Sequence, residues 1–170
     1  MSCCDDVKKL KIVKMYDDAK VPVRANPTDS GLDVFAYNFK KAWTKSEDGE
    51  AVVELSDRAT SIELQPMSRV MIGTGLKMTV APGYEIQVRP KSGLSAKQGL
   101  IVSNPPGTVD YSFSEIVCVL ITNLSNKAQV IEKGQKIAQL VVAKVELIDV
   151  EVVDALDNGD RSGFGSTGLK

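Results

Sequence analysis

Apolar and polar residues alternate along this chain in short runs that predict β-strands. In residues 84–88 apolar and polar side chains swap at every position, the pattern of a strand with one buried face. Four further runs are rich in Val, Ile, Leu and Thr: residues 10–16, 68–80, 116–122 and 138–147. No window of helical length keeps an apolar stripe. We therefore predict an all-β fold, a jelly-roll-like antiparallel β-barrel or sandwich.

Two segments depart from this pattern. Residues 38–58 are polar and predict an inserted loop or an exposed hairpin. After Asp154 the chain becomes rich in glycine, which is typical of a flexible end. The expected organisation is one domain over residues 1–153, with the polar insertion inside it, and a C-terminal arm over residues 154–170.

Composition narrows the possible functions. The chain has 170 residues, of which 43% are hydrophobic and 25% charged, as in one globular domain. Its 21 basic and 22 acidic residues leave a net charge of −1, so we expect no direct binding of nucleic acid. The chain contains no histidine, which excludes a histidine base, a Ser-His-Asp triad and a histidine metal site.

Cysteine content and hydropathy indicate the cellular compartment in which the protein is expected. Cys3, Cys4 and Cys118 are an odd number without metal-site spacing, which favours reduced thiols. The polar, acidic N-terminus is unlike a signal peptide, and the longest apolar run, residues 116–121, is too short to span a bilayer. A soluble protein without membrane contact is expected, in the cytoplasm or, in a eukaryote, the nucleus.

The glycine-rich end, residues 163–168, fits the G-x-G-x-x-G pattern of dinucleotide-binding folds. That pattern must open a helix after a strand, and only two residues follow it here. Its backbone N–H groups and hydroxyls could still surround phosphate oxygens, with Arg161 adding a positive charge. Phe164, a lone aromatic residue among glycines, could stack on a flat ligand.

Three other stretches carry candidate chemistry. Residues 89–97 place cations and hydroxyls in a turn after a strand, either a solvated basic turn or a second phosphate site. In residues 104–113 a Pro-Pro-Gly turn precedes Asp110, either a turn cap or a base that activates water. Residues 29–33 hold two carboxylates around a glycine, either an Asx turn or a magnesium site.

In this order the stretches resemble the five motifs of the trimeric deoxyuridine triphosphatase (dUTPase) family. The matching segments are residues 27–34, 90–97, 107–115, 133–140 and 161–168, within a resemblance that spans about residues 10–168. The resemblance implies a homotrimer with shared active sites that hydrolyses dUTP to dUMP and pyrophosphate with Mg²⁺. Water would attack the α-phosphorus. The removal of dUTP would limit uracil incorporation into DNA, and the product dUMP would supply thymidylate synthesis.

The resemblance also implies roles for individual residues. Asp110 matches the acid that activates the attacking water, and Asp33 and Gln139 match groups that contact magnesium through water, with no direct protein ligand. Residues matching substrate contacts are Lys91, Ser92 and Gly93 at the phosphates, Gln139 beside them, Asn104, Gly107, Thr108 and Val109 at uracil, Phe113 at deoxyribose, and Arg161, Phe164, Gly165, Ser166 and Thr167 in the closing arm.

Several positions depart from the family pattern. Lys91 stands where the family usually has Arg, and Phe113 stands at the Tyr that packs against deoxyribose. Ser112, Ser114 and Glu115 also differ from the usual third motif. Residues 38–58 look like an insertion, dispensable for chemistry, that could bind a regulatory protein partner. The alternative for Phe113 is that its ring fills the core beneath the hairpin expected at residues 104–113.

Two other functions are compatible with these motifs. A dCTP deaminase has a similar fold and would release ammonia from dCTP. A trimeric regulatory protein that kept the fold would bind the nucleotide without turnover. Release of pyrophosphate from dUTP distinguishes the predicted diphosphatase from both.

Overall fold

The computed structural model describes residues 9–46 and 48–156. This part of the chain contains thirteen strands and one short helix. In chain order they are β1 Lys11–Lys14, β2 Leu32–Phe35, β3 Asn38–Ser46, β4 Gly49–Glu54, β5 Ser61–Leu64, β6 Arg69–Gly73, β7 Leu76–Thr79, β8 Tyr84–Arg89, α1 Ser92–Gln98, β9 Leu100–Val102, β10 Gly107–Val109, β11 Cys118–Asn123, β12 Gln129–Glu132 and β13 Lys136–Lys144.

The strands form two larger and two smaller sheets, and every pair is antiparallel. The four-stranded sheet has the order β10-β8-β13-β2, and the five-stranded sheet has the order β4-β3-β6-β11-β9. The pairs β1-β7 and β12-β5 complete the fold. Buried side chains from both larger sheets, among them Val34, Ile72 and Leu140, belong to one hydrophobic cluster. The predicted all-β antiparallel architecture is confirmed.

The predicted strand over residues 68–80 is in fact two strands, β6 and β7, which belong to different sheets. The break falls at Thr74 and Gly75. Gly75 has a φ of 72°, and a Cβ there would lie 2.9 Å from the ring of Tyr37. A side chain at this position would therefore be strained and crowded, so glycine permits the chain to change sheets.

The turn predicted after β8 contains the helix α1, which the sequence pattern did not reveal. None of its seven residues is buried. A helix without a buried face has no apolar stripe, so periodicity gave no signal. It ends at Gly99, whose φ of 66° is the left-handed conformation typical of a helix C-terminus.

The polar segment over residues 38–58 forms the hairpin β3–β4, but its base belongs to the core. Phe39 and Ala42 are buried, and β3 pairs with β6 as well as with β4. Strand β4 is the edge of the sheet, and Val52 on it is exposed. The prediction of an exposed hairpin is correct for the distal part, residues 43–54, and wrong for residues 38–42. Only the distal part could be replaced by a short turn without opening the core.

After β13 the chain continues to Leu156 without regular secondary structure. Leu147, Ile148, Val150 and Val152 in this segment are all exposed. The predicted strand over residues 138–147 therefore ends at Lys144. Within the described residues, no helix has the length and apolar character needed to cross a membrane.

Candidate active site

The four-stranded sheet brings three of the predicted motifs together. Strand β8 pairs with β13, which pairs in turn with β2. Their register places Gln139 opposite both Arg89 and Asp33. On its other edge β8 pairs with β10, which leads directly to Asp110. Residues far apart in sequence therefore share one surface of one sheet.

Asp33, Lys91 and Lys136, which we name the Asp33 cluster, form two ion pairs. The Lys91 ammonium bonds to Oδ1 of Asp33, and Lys136 Nζ lies 2.7 Å from Oδ2. The Asp33 side chain is only 9% exposed. Burial by itself would raise the pKa of Asp33, but the hydrogen bonds from Lys136 and Lys91 outweigh it and lower that pKa. With Asp33 ionised, the cluster carries one net positive charge.

Gln139 connects the second and fourth motifs and packs against the first. Its Nε2 donates a hydrogen bond to the carbonyl oxygen of Pro90 at 2.9 Å. A Cβ at Gly31 would lie 2.3 Å from Gln139 Oε1. Glycine at this position therefore allows the amide to lie close to the backbone before β2.

Ser92 and Gly93 begin helix α1, beside the Asp33 cluster. Lys91 is the N-cap residue and makes no side-chain cap. The first N–H groups of a helix have no partner within it, so the backbone here can donate to an anionic oxygen. Apart from its two chain neighbours and the backbone of α1, no described atom lies within 4 Å of a Cβ placed on Gly93, so a ligand could approach this turn closely.

The predicted uracil-reading residues lie on β10 and just before it. Gly107 and Val109 are buried, whereas Asn104 and Thr108 are exposed. A Cβ on Gly107 would lie 3.3 Å from Asn104 Nδ2, so the glycine lets this amide pack against the strand. The Asn104 amide and the exposed Thr108 are thus the parts of this segment that a base could contact.

Asp110 follows β10 and is exposed. It lines a cavity of about 270 Å³ together with Tyr84, Glu85 and Leu147. No side chain within residues 9–46 and 48–156 bonds to its carboxylate. This carboxylate is therefore free to contact water or a ligand.

Phe113 lies outside the core, because its side chain is 41% exposed. Its ring lines an open cavity of about 460 Å³ together with Ile12 and Val13 of β1 and Met78 of β7. The alternative that this ring fills the core beneath the hairpin does not agree with this exposure. An exposed ring beside an open cavity is compatible with a contact to a ligand.

The two parts of the candidate site lie at opposite ends of β8. Asp110 is beside Glu85 at the start of the strand, whereas Gln139 is opposite Arg89 at its end. Glu85 and Arg89 are four residue steps apart along the strand, or about 13 Å at 3.3 Å per step. One chain therefore does not bring Asp110 to the Asp33 cluster.

Some predicted residues lie outside the described part of the chain. They are Cys3, Cys4, Arg161, Phe164, Gly165, Ser166 and Thr167.

Of the two residues predicted to contact magnesium, Asp33 is fully engaged and Gln139 is engaged only through its amide nitrogen. Both carboxylate oxygens of Asp33 have an ammonium partner, and the Gln139 amide nitrogen is bonded to Pro90. A dication near Asp33 would also be repelled by the two ammonium groups. Asp33 in this arrangement is thus a poor contact for magnesium-bound water. Within the described residues, no cluster of three or more His, Cys, Asp or Glu side chains could bind a metal.

Comparison with known proteins places the chain in a family. The family model described as dUTPase matches residues 38–168, which is more than half of the chain. The chain belongs to the dUTPase family. The deoxyuridine 5'-triphosphate nucleotidohydrolase of Hydrogenobaculum sp. is 39% identical over 166 residues, with 95% of this chain and 99% of that protein covered.

Solved structures of dUTPases show the same fold at low sequence identity. A mutant form of the dUTPase of Staphylococcus bacteriophage 80alpha, with dUpNHpp, has a TM-score of 0.73 and 22% identity, covering 95% of this chain and 99% of that one. A mutant form of the dUTPase of phage phi11 of S. aureus, whose structure describes the coordination of a structural Mg(II) ion, has a TM-score of 0.67 and 19% identity, covering 88% of this chain and 99% of that one.

Lys136 is the member of the Asp33 cluster that the sequence analysis missed. It lies within the fourth dUTPase motif, but nothing in its neighbours distinguishes it from a solvated lysine. No sequence signal marks it: β13 also contains the apolar run Leu140-Val141-Val142-Ala143, so the pair Ile137 and Ala138 does not stand out. Only the structure shows the two successive buried positions of a bulge, which redirects the flanking side chains.

Proposed function

We propose that this chain hydrolyses dUTP to dUMP and pyrophosphate. The observation that carries the proposal is the convergence of the first, second and fourth motifs on one positively charged edge of a sheet, in a member of the dUTPase family. Its curated relatives are named nucleotidohydrolases. Neither a dCTP deaminase nor a protein that only binds nucleotide is favoured.

Asp110 is the general base in this proposal. Its carboxylate takes a proton from water, the water oxygen bonds to the α-phosphorus, and the bond from this phosphorus to the pyrophosphate oxygen breaks. The chain has no histidine, and the exposed Asp110 carboxylate has no side-chain partner in the described residues to displace. A positioned general base typically contributes about 10²–10⁴ in rate.

Each part of the nucleotide is assigned to a different group of residues in this proposal. Backbone N–H groups at the start of α1 and the Lys91 ammonium bind the phosphates, with Gln139 beside them. Strand β10 and Asn104 before it read uracil, and the Phe113 ring packs against deoxyribose. The proposed substrate-binding residues in the described part are Lys91, Ser92, Gly93, Asn104, Gly107, Thr108, Val109, Phe113 and Gln139.

We propose that Mg²⁺ arrives with the triphosphate of the substrate. A divalent cation on phosphate oxygens neutralises charge that develops on the leaving pyrophosphate. The dUTPase of phage phi11 coordinates a Mg(II) ion, which is the support from a solved structure. Of the two predicted contacts through water, Gln139 stays open to one, whereas the lysine partners of Asp33 argue against it.

Homotrimers with shared active sites would bring the two ends of β8 together across copies. One chain leaves Asp110 about 13 Å or more from the phosphate residues, too far for both to act on one α-phosphate. The exposed apolar side chains after β13, such as Leu147 and Val150, need cover that a neighbouring copy can provide. Both features support assembly.

Subunit complementation tests this sharing. Asp110→Asn and Lys91→Met chains are expected to be nearly inactive alone. Mixed oligomers, made by co-expression or refolding together, are expected to regain activity because some sites then combine an intact Asp110 with an intact Lys91. Activity no greater than the sum of the two separate variants would contradict shared sites, and light scattering of the wild type checks for three times the chain mass.

Residues 154–170 are proposed to act as an arm that closes over the nucleotide bound to the domain formed by residues 1–153. Arg161 would contact phosphate and Phe164 would stack on uracil, with Gly165, Ser166 and Thr167 around the phosphates. Deletion of residues 161–170 is expected to leave the melting temperature unchanged and to lower kcat/KM for dUTP. Wild-type kcat/KM in the truncated chain would contradict a closing arm.

The distal part of the β3–β4 hairpin is the proposed contact for a regulatory protein. Strand β4 is an edge strand with exposed Val52 and Val53, and an edge can pair with another chain. Substituting both valines by Thr is expected to leave dUTP hydrolysis unchanged while weakening binding to such a partner.

One assay of four nucleotides tests the function directly. The chain is incubated with dUTP, dCTP, dTTP or UTP in the presence of Mg²⁺, and pyrophosphate and ammonia are measured. Pyrophosphate from dUTP alone is the expected result. Ammonia from dCTP, or dUTP binding without pyrophosphate release, would overturn the proposal.

A further inference from the structure

The Asp33 cluster depends on an irregularity in β13. Lys136 and Gln139 are three residues apart, so strict alternation would direct them to opposite faces of the sheet. The pairing with β2 shifts register between Lys136 and Ala138, and both Ile137 and Ala138 are buried. This bulge turns Lys136 toward the same edge as Gln139, where its ammonium reaches Asp33.

The two lysines that share Asp33 differ in their surroundings. Lys91 is 26% exposed and precedes the backbone turn at Ser92 and Gly93, whereas Lys136 is 46% exposed and lies on the far side of the carboxylate. Lys91 is therefore the ammonium placed toward a bound phosphate. Lys136 would influence a bound phosphate only indirectly, through its ion pair with Asp33.

We propose that Lys136 is a positioning residue for the triphosphate: by sharing Asp33 with Lys91, it keeps Lys91 oriented and leaves the cluster with a net positive charge. This inference rests on the proposed function. Without Lys136, Asp33 and Lys91 would form a neutral pair with little attraction for a triphosphate. With Lys136, one positive charge remains in a partly desolvated site, where it acts more strongly than in water.

Two substitutions and their combination separate the effect of charge from that of packing. Lys136→Met makes the cluster neutral, Asp33→Asn gives it two positive charges, and the double variant returns it to one. We expect Lys136→Met to raise KM for dUTP by about fivefold or more, as loss of a close charge does in other partly buried sites, and to change kcat less. The double variant is expected to recover part of that loss in KM.

Lys144→Met is the matched control, since Lys144 lies at the other end of β13 and forms a 2.7 Å ion pair with Glu146 in solvent. It is expected to leave KM unchanged, and Lys136→Arg is expected to keep KM within about twofold of wild type, because it retains the charge. Melting temperatures show whether each variant folds. If Lys136→Met does not fold, Lys136→Gln, which also removes the charge and keeps a polar side chain, takes its place in every comparison.

Binding of inorganic tripolyphosphate, measured by calorimetry, separates this inference from the proposed function. A wild type that fails to hydrolyse dUTP refutes the function, whereas the change in tripolyphosphate Kd between wild type and Lys136→Met still tests the role of Lys136. Unchanged KM and Kd in Lys136→Met would overturn the inference. So would a double variant that binds no better than Lys136→Met.

Discussion

The two ends of strand β8 differ in how completely one chain prepares them. At the Arg89 end, Asp33 has two lysine partners and Gln139 is bonded to Pro90. At the Tyr84 end, Asp110 and Phe113 are exposed, and each lines an open cavity. In the proposed function, the end that binds phosphate is thus organised before substrate arrives, whereas the end that binds the nucleoside is left for substrate and neighbouring copies to complete.

This difference follows from the side chains at each end and from the contacts that the proposed function requires of them. A cluster of one carboxylate and two ammonium groups is held together by its own ion pairs, so it keeps its shape without a ligand. A general base must instead stay available to water, and a ring that contacts a sugar must stay uncovered. We therefore expect substitutions at the Tyr84 end to change the reaction and substitutions at the Arg89 end to change stability as well.

The largest expected effect is at Asp110. Asp110→Asn keeps the size of the side chain and removes the base, so kcat is expected to fall by about 10²–10⁴. The melting temperature and the Kd for a non-hydrolysable dUTP analogue should stay near those of wild type. Asp17→Asn, at another exposed aspartate, is the control and should leave kcat unchanged. Near-normal turnover in Asp110→Asn would refute its assignment as the base.

Phe113 is expected to control the choice of sugar. A ribose 2′-hydroxyl would have to be buried against the ring without a partner, which costs about 1–3 kcal/mol. The ratio of kcat/KM for dUTP over UTP should therefore fall by about tenfold to a hundredfold in Phe113→Ala, at 1.4 kcal/mol per decade. Phe113→Tyr restores the usual family residue and should keep the ratio.

Melting temperatures of the same two variants decide between a ligand contact and a packing role. Because the ring is exposed, Phe113→Ala should change the melting temperature little. A lower melting temperature with an unchanged dUTP/UTP ratio would assign the ring to packing and place the sugar gate elsewhere.

At the Arg89 end, Asp33→Asn is expected to lower the free energy of unfolding at pH 7 by about 1–3 kcal/mol, because a partly buried carboxylate loses two ion pairs. The folded-state pKa of Asp33 is lowered. The stabilisation is therefore complete above the unfolded pKa of about 3.9 and is lost as the pH falls through the folded value. Urea unfolding at one protein concentration, at pH 7 and at pH 3, measures it.

Asp57→Asn is the matched control for this pH dependence. Asp57 also pairs with a lysine, Lys40 at 2.9 Å, but its side chain lies in solvent, so its substitution should change stability much less. An Asp33→Asn effect that persists undiminished at pH 3 would show that the loss comes from packing and not from the ion pairs.

Local patterns in the sequence were sufficient for the fold class. Alternation in residues 84–88 located β8 because one face of that strand is buried and the other is not. The short strands β9 and β12, with three and four residues, gave too little periodicity to be found individually. The helix α1 was missed for a related reason, because it buries no residue. Strand β10 was predicted from the Pro-Pro-Gly turn before it, but it ends at Val109, so Asp110 follows the strand and does not lie on it.

The sequence by itself determined which residue types occur and in what order: the five motifs, the carboxylate at Asp110 and the absence of histidine. Only the tertiary structure decided which of these residues meet. The bulge in β13 brings Lys136 to Asp33, and the register of β8 separates Asp110 from both. The reason is physical: a pattern along the chain records which side of a strand is buried, whereas strand order and register depend on contacts between residues distant in sequence.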